Sequence, residues 1–477
     1  MPVELHIPVA APPSEAPRLA GPVPPPQRLP FLQYLRVVRH NFLDALDEGM
    51  YSQGIIVQRS LIGSHSFIVN DPAGIRRILL ENPANYPKAE VEHRILGPGM
   101  GNGLILSEGD TWRAHRRIMA PAFDHRTVER YSTVMVDGAL KLAAQWHGIP
   151  PGSPLEVGEA MMQLTLDIIS RSMFASDSNS IREIVGQGSE RYQDVMMVGV
   201  LEFVPGIGKL WSAIKGVRGR AIMKDFDRAV FRLIDQRTRG SAADRTPDLL
   251  DRLMESRDDQ SGTRMTAREV RDQVLTIFVA GHETTALTLM WTWYLLSMHP
   301  GHEARLHEEL DEVLAGREPR WDDVSRLQYT RMIVQESMRL YPPVHTLAFR
   351  QAQQEDTVCG LRIPKGSLIT IMPWLVHRHR SYWKDPGRFD PERFAPEASA
   401  GRDRLVYLPF GFGPRICIGA SFAMTEAVLI LATLAQRFRL RLVPGHQVEP
   451  QAMFTLRAKY GMQMTVEARR PGAAGRE

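Results

Sequence analysis

The chemistry of this chain concentrates in ten residues near its C-terminus, Phe410-Gly-Phe-Gly-Pro-Arg-Ile-Cys417-Ile-Gly419. A lone cysteine sits in a glycine-rich loop, Arg415 lies two residues before it, and an apolar helical run follows. Glycines let a backbone approach a flat ligand and turn its N–H groups toward a sulfur. A helix starting near Ala420 aims its positive end at the same thiol and lowers its pKa. Arg415 suits an acidic group at the rim of a cofactor. This environment favours a cysteine held as thiolate for a metal. The structural alternative is a buried cysteine in a turn before a core helix.

Three further constellations carry polar chemistry. The helical run Asp272 to Met298 contains Ala280-Gly-His-Glu283-Thr284-Thr285 within an apolar surround, the mark of a central buried helix. Gly281 removes a side chain where a ligand could approach, and Thr284 can bond back to the carbonyl four residues earlier and open the helix locally. His282-Glu283 starts a zinc-protease pattern, but Ala286 stands where the second histidine is needed, which excludes that reading. Trp112 and Arg116, at i,i+4, put two donors on one helix face, suited to a carboxylate. His115 reads as a surface or supporting residue and not as a ligand. Glu336 and Arg339, at i,i+3, share a face of a helix stopped by Pro342-Pro343, and Phe389-Asp-Pro-Glu-Arg393-Phe394 supplies another arginine in an aromatic turn.

These motifs need a frame to position them. Residues 1 to about 30 read as a proline-rich arm, 31–470 as one large domain, and 471–477 as a flexible tail. Ile55-Ile-Val-Gln-Arg and Ser66-Phe-Ile-Val-Asn read as a strand pair, and Ala73 to Glu81 as helical. Pro87 to Gly103 reads as glycine-rich and irregular. Most of 110–345 is helical in period, with breaks at Pro150-Pro-Gly and around Asp258 to Gly262. Thr357-Val, Leu361-Arg-Ile and Leu368-Ile-Thr-Ile-Met read as short strands. A helix to about Phe438 follows the cysteine loop. Phe454-Thr-Leu and Met462-Gln-Met-Thr-Val close the chain as a hairpin-like pair. The expected class is mainly α with a smaller β portion.

The spacing F-x-x-G-x-R-x-C-x-G resembles the haem-binding loop of the cytochrome P450 family, and the other motifs resemble that family's in the same order over about residues 30–465. The resemblance implies the P450-type haem-thiolate fold and haem b with Cys417 as axial thiolate, a ligand that favours O–O cleavage. It places Phe410, Gly413, Arg415, Gly419 and Ala280 against the cofactor. It makes Trp112, Arg116, Arg350 and Arg415 the propionate contacts. It casts Glu283 and Thr284 as the acid–alcohol pair that relays protons during oxygen activation. Glu336, Arg339 and Arg393 become a structural lock on the haem-loop side. Phe278, Val279, Val344, Leu347, Met453 and Phe454, with the stretch near Val195 to Val204, fall at substrate-contact positions. They are mostly apolar and could equally be plain core, so a small apolar substrate is expected.

Composition bounds the rest. The 477 residues, 43% hydrophobic and 23% charged, suit a soluble globular protein, and the net charge of +4 comes without a basic run interleaved with aromatics, against nucleic acid. Cys359 and Cys417 are the two cysteines. Cys359 reads as structural, and a disulfide would consume the candidate ligand, so a reducing cytoplasm is expected. The N-terminus lacks a signal-like n- and h-region, and Val195 to Ile214 is broken by Glu202, Pro205, Gly206, Gly208 and Lys209, so no membrane anchor is expected. Gly97-Pro-Gly-Met-Gly-Asn-Gly lacks dinucleotide-fingerprint spacing. Electrons are therefore expected from a separate ferredoxin or flavodoxin, docking on a basic face of Arg378, Arg380, Arg402, Arg404, Arg415, Arg437 and Arg439. The expected reaction inserts one atom of O2 into a fatty acid, terpenoid or polyketide, by hydroxylation or epoxidation. Two alternatives remain: a peroxide-using or rearranging haem-thiolate enzyme, and a haem-based sensor or binding protein.

Overall fold

The computed structural model describes residues 18–59, 65–174, 207–239, 248–260 and 262–469. The window Val195 to Val204, the first part of the arm and the tail from 470 lie outside the described residues.

The helix Ala267–Met298 runs through the centre. Thr266 starts it: its side chain accepts from the Glu269 N–H while the Glu269 carboxylate accepts from the Thr266 N–H, satisfying two otherwise unpaired donors. The helix is buried nearly all round, which explains why its sequence lacks a polar stripe. Helices Val157–Phe174, Ile207–Arg239, Gln328–Leu340 and Ala420–Ala435 pack against it. Among the described residues it alone is long and apolar enough to cross a bilayer by length and composition, and here it is the core of the fold. The later part of the proline-rich arm is clipped onto this core. Ala20 donates its N–H to the Tyr294 hydroxyl at 2.9 Å, and Tyr341 donates its hydroxyl to the Ala20 carbonyl at 2.7 Å.

The β portion lies at the periphery. Ile55–Arg59 and His65–Val69 form the expected antiparallel pair; Leu368–Thr370 adds in parallel to the latter, and Arg350–Gln351 completes four strands. Asp356–Val358 and Leu361–Ile363 form a hairpin whose two-residue turn, Cys359-Gly360, has φ of 48° and 76°. The residues from Pro72 to Glu81 are helical, as the sequence suggests.

Two expectations fail. The stretch Pro87 to Gly103 is not irregular: Glu90–Met100 is a helix. Val91, Ile95, Leu96 and Met100 give it a buried face, Pro98 falls in the last turns, and Gly101 at φ 71° ends it. The closing strands also do not pair with each other. Leu456–Ala458 pairs with Pro450–Ala452, whereas Gln463–Ala468 inserts between Pro154–Glu156 and Phe438–Leu442. Glu156 directs this by accepting the Met462 N–H at 2.5 Å at the start of the strand.

Candidate active site

The cysteine loop, the central helix and the segment Pro343–Gln351 enclose one cavity of about 2290 Å³. Cys417 lies on its wall. The exposed surface of this residue faces the cavity, while protein packs around the rest of the thiol. Desolvation pushes the thiol pKa up; the Gly419 N–H and the Arg116 guanidinium pull it back down. The helix Ala420–Ala435 starts immediately after Gly419, so its amide dipoles also favour thiolate.

The loop is set by contacts that reach well beyond it. Cys417 donates its N–H to the Phe410 carbonyl at 2.9 Å. Gly411 and Gly413 have φ of 72° and 74°. Gly413 does not line the cavity; a Cβ there would collide with the Leu79 carbonyl, so this glycine serves loop packing and not ligand approach. Upstream, Arg339 and Glu336, both fully buried, make a bidentate pair at 2.6 and 2.7 Å, and Arg393 approaches the same carboxylate at 3.4 Å. Arg339 also donates to the carbonyls of His377, Pro386 and Arg388. The Leu408 N–H donates to His377 Nε2 at 2.7 Å, which leaves the ring proton on Nδ1. Glu336, Arg339, His377 and Leu408 thus form a continuous polar chain ending two residues before Phe410.

Cations crowd the other wall. Arg116, Arg350, Arg415, Lys88 and Trp112 all line the cavity, and the Arg415 guanidinium stacks 4.1 Å from the Trp112 ring centroid. Arg415 pairs with Glu108 and donates to the Ser107 carbonyl at 2.7 Å. Burial, with Arg415 and Arg350 nearby, pushes Lys88 down to about 7. Burial pushes Glu92, which accepts the Phe349 N–H at 2.7 Å, up to about 7. Sequence reasoning missed Lys88 and Glu92 because they fall in the stretch read as irregular. The usable signal was the pattern of that helix, in which Lys88 just precedes the buried Ala89 and Val91.

On the central helix Thr284 lines the cavity and donates its hydroxyl to the Ala280 carbonyl at 2.8 Å, the back-bond its sequence position suggests. Val279, Val344, Leu347, Met453 and Phe454 line the cavity as expected. Phe278 does not: it is fully buried behind the helix, stacked on Phe174 at 4.8 Å. Glu283 does not line the cavity either. A one-residue step along a helix turns its side chain about 100° from Thr284, and its buried carboxylate is held by Arg457 at 2.9 Å and by the hydroxyl of Thr455, itself a lining residue. Gly281 lines the cavity and also lets Ile169 pack close. His115 is buried, not superficial, bonded to Gln273 at 3.0 Å and 3.4 Å from Glu269.

The cavity pairs a thiol in a cationic field with a cationic, indole-bearing wall, a donor set suited to a flat metal macrocycle bearing carboxylates. The family profile Cytochrome P450 matches residues 23–466. The chain belongs to the cytochrome P450 family. Among curated relatives, cyclooctatin synthase of Streptomyces melanosporofaciens is 36% identical over 76% of this chain and 78% of its own length. Pentalenene oxygenase of Streptomyces avermitilis is 33% identical over 88% and 92%. The solved haem domain of cytochrome P450DA aligns with a TM-score of 0.80 at 26% identity, over 95% of this chain and 99% of that one. As a P450 the protein is a monooxygenase that carries haem with its iron on a cysteine thiolate, and the fold places Cys417, not the turn residue Cys359, in the cavity.

Proposed function

We propose that this P450 oxygenates a small, largely apolar substrate of the terpenoid class, using O2 and electrons from a separate ferredoxin- or flavodoxin-type donor. The observation that carries the reading is a cavity lined by the apolar Val279, Val344, Leu347, Met453 and Phe454 together with Thr284, whose hydroxyl bonds back to the Ala280 carbonyl. The relatives' names favour terpenoid skeletons over fatty acids and polyketides. Haem, when bound, supplies the oxygen-activating redox chemistry.

The chain's own residues do the rest. Trp112, Arg116, Arg350, Arg415 and Lys88 hold the acidic edge of the cofactor, and Cys417 supplies the thiolate. Phe410, Ala280 and Gly419, all on the cavity lining, flank the cofactor, and Gly413 shapes the loop. The apolar wall orients the substrate and excludes water. The Thr284 hydroxyl, bonded to the Ala280 carbonyl, is placed to pass a proton into the cavity. Glu283 lacks direct access and supports that transfer through Thr455, whose hydroxyl it holds at the cavity wall. Glu336, Arg339 and Arg393 act structurally, through His377 and Leu408.

Three of the arginines near the cysteine loop have partners of their own. Arg378 is buried against Trp374 at 3.4 Å and pushed down to about 10, and Arg415 serves the cavity wall. Arg402 lies against Trp383 and Phe394. Any docking contribution from that set falls to exposed members such as Arg404, and turnover is expected to fall as salt rises.

The test is turnover of a panel of terpene hydrocarbons by the holoenzyme with a surrogate reductase and ferredoxin under O2. Thr284→Ala is expected to cut product at least tenfold while reductant consumption continues. Equal product yield would remove Thr284 from the proton path. Full activity with peroxide alone, unaffected by Thr284→Ala, would favour the peroxide-using alternative.

A further inference from the structure

We infer that the surface formed by the helix Phe31–Val38 and the first turns of Ile207–Arg239, beside the open end of the cavity, docks on an anionic lipid bilayer. The inference goes beyond the substrate reading above, and its test reads lipid binding and not turnover.

Two elements carry it. In the helix Ile207–Arg239, Leu210, Ile214 and Val217 fall at i, i+4 and i+7 on one face, and they are 67%, 41% and 59% exposed. The opposite face is spent on packing: Ser212 is buried, and a Cβ at Gly216 would press on Pro98 of the helix Glu90–Met100. At about 100° per residue, Arg218 flanks the apolar stripe on one side and Lys209 and Arg220 flank it on the other. All three are exposed. The second element is Phe31–Val38, in which no residue is buried; Phe31 and Leu32 are 51% and 79% exposed.

Both elements line the cavity described above, the first through Phe31, Leu32 and Arg36, the second through Lys209 and Trp211. Phe31, Leu32, Arg36 and Lys209 both line it and stand exposed, so they mark where it reaches the surface. A single exposed leucine needs no explanation. Five large apolar side chains on two helices that share one cavity call for a partner.

Charge indicates which partner. Residues 18–43 and 207–224 hold nine basic and no acidic residues, in a chain whose net charge is +4. Large apolar side chains flanked by cations suit a helix lying in the headgroup plane, its apolar face inserted and its cations on lipid phosphates. The stripe of Leu210, Ile214 and Val217 does not line the cavity and stands on the outer face of its helix, which suits a flat lipid surface better than a protein segment seated in a groove. An apolar ligand also concentrates in a bilayer, beside the open end of an apolar cavity.

Flotation of the holoenzyme with vesicles of phosphatidylcholine and phosphatidylglycerol in equal parts, and with phosphatidylcholine alone, tests this. The wild type is expected to bind the anionic vesicles about tenfold more tightly and to lose that excess in high salt. Leu32→Gln combined with Leu210→Gln is expected to weaken binding to the anionic vesicles about tenfold. Arg36→Gln combined with Lys209→Gln is expected to weaken it about tenfold as well and to leave little preference between the two vesicle types. All four side chains are exposed, and an unchanged haem spectrum and thermal midpoint show that each variant is folded. A wild type that ignores anionic vesicles overturns the inference, and so do paired variants that bind as the wild type does. A wild type that ignores vesicles but self-associates in light scattering until Leu210→Gln is introduced shows a second copy on the stripe, and it overturns the lipid assignment. Each of these outcomes leaves the terpenoid reading standing.

Discussion

The two cysteines occupy turns of the same chain and meet opposite fields. Cys359 sits at φ 48° in a hairpin turn, with its thiol donating to Asp71 at 3.3 Å. Burial, then the Asp71 carboxylate, pushes it up to about 11. Cys417 faces the Gly419 N–H and Arg116, which both favour the anion against the cost of burial. A metal-binding thiolate requires the second arrangement. The groups beside each sulfur separate the two: the Gly419 amide and the Arg116 guanidinium at Cys417, the Asp71 carboxylate at Cys359.

The bluntest way to break this contrast is to remove each sulfur. Cys417→Ser is expected to abolish the thiolate-type haem spectrum and turnover. Cys359→Ser is expected to leave both unchanged, with stability within about 0.5 kcal/mol. A haem-thiolate spectrum that survives the first change, or vanishes with the second, would reverse the assignment.

The next effect concerns how each turn is held. The Cys359 turn is local: a two-residue hairpin that needs little support. The Cys417 loop is held remotely, through Glu336, Arg339, His377 and Leu408. Glu336→Ala leaves Arg339 charged, unpaired and fully buried, a change that costs about 3–5 kcal/mol. The urea unfolding midpoint and haem retention should both drop, while alkylation of Cys359 in the folded protein stays as it was. If haem retention is unaffected at matched stability, the chain from Glu336 to the loop does not position the cysteine.

This difference also explains what could be read without the structure. The cysteine loop, Thr284, Trp112 and the Glu336–Arg339 pair were legible because close sequence spacing already puts their groups on one loop or one helix face. What was missed depends on contacts between distant segments. The family resemblance pairs Glu283 with Thr284, and the place of its carboxylate, held by Arg457 and Thr455 and not on the cavity lining, depends on a segment about 170 residues later. The resemblance puts Phe278 at a substrate-contact position, but it stacks on Phe174. Lys88 and Glu92 lay in a stretch read as irregular for its glycines, and two of the arginines near the cysteine loop, Arg378 and Arg415, pack on Trp374 and Trp112. Strand pairing near the C-terminus turned on Glu156, about 300 residues earlier.

Charge at the cavity wall gives a graded test. The Glu92 carboxyl is pushed up to about 7 by burial, above its ordinary value of 4.5. The neutral form is therefore the one the fold prefers, and its contribution, fully present below about 4.5, is lost as pH rises through 7. Glu92→Gln should accordingly gain stability relative to wild type between pH 4.5 and 7, by an amount on the order of 3 kcal/mol. Unfolding midpoints of the two proteins across that range check the sign. A difference that stays flat would mean Lys88 and Arg350 hold the carboxylate charged throughout.

The smallest expected effect sharpens the opening contrast most directly, because it tries to make one cysteine resemble the other. Asp71→Asn keeps an oxygen in place to accept the Ala73 and Gly74 N–H groups, now made at 2.8 and 3.2 Å, so the short helix it caps should persist. The negative charge beside Cys359 is gone, and the thiol pKa should fall from about 11 toward the ordinary range. At pH 8 the thiolate fraction rises, and alkylation by iodoacetamide should quicken several-fold, with Cys417 protected by its bound haem. Burial is the larger cause at Cys359, so the thiol should remain less reactive than a free cysteine. An unchanged rate would show that desolvation alone sets this thiol. The field that distinguishes Cys417 would then have to be sought in Arg116 and the helix end, with no counterpart at the hairpin.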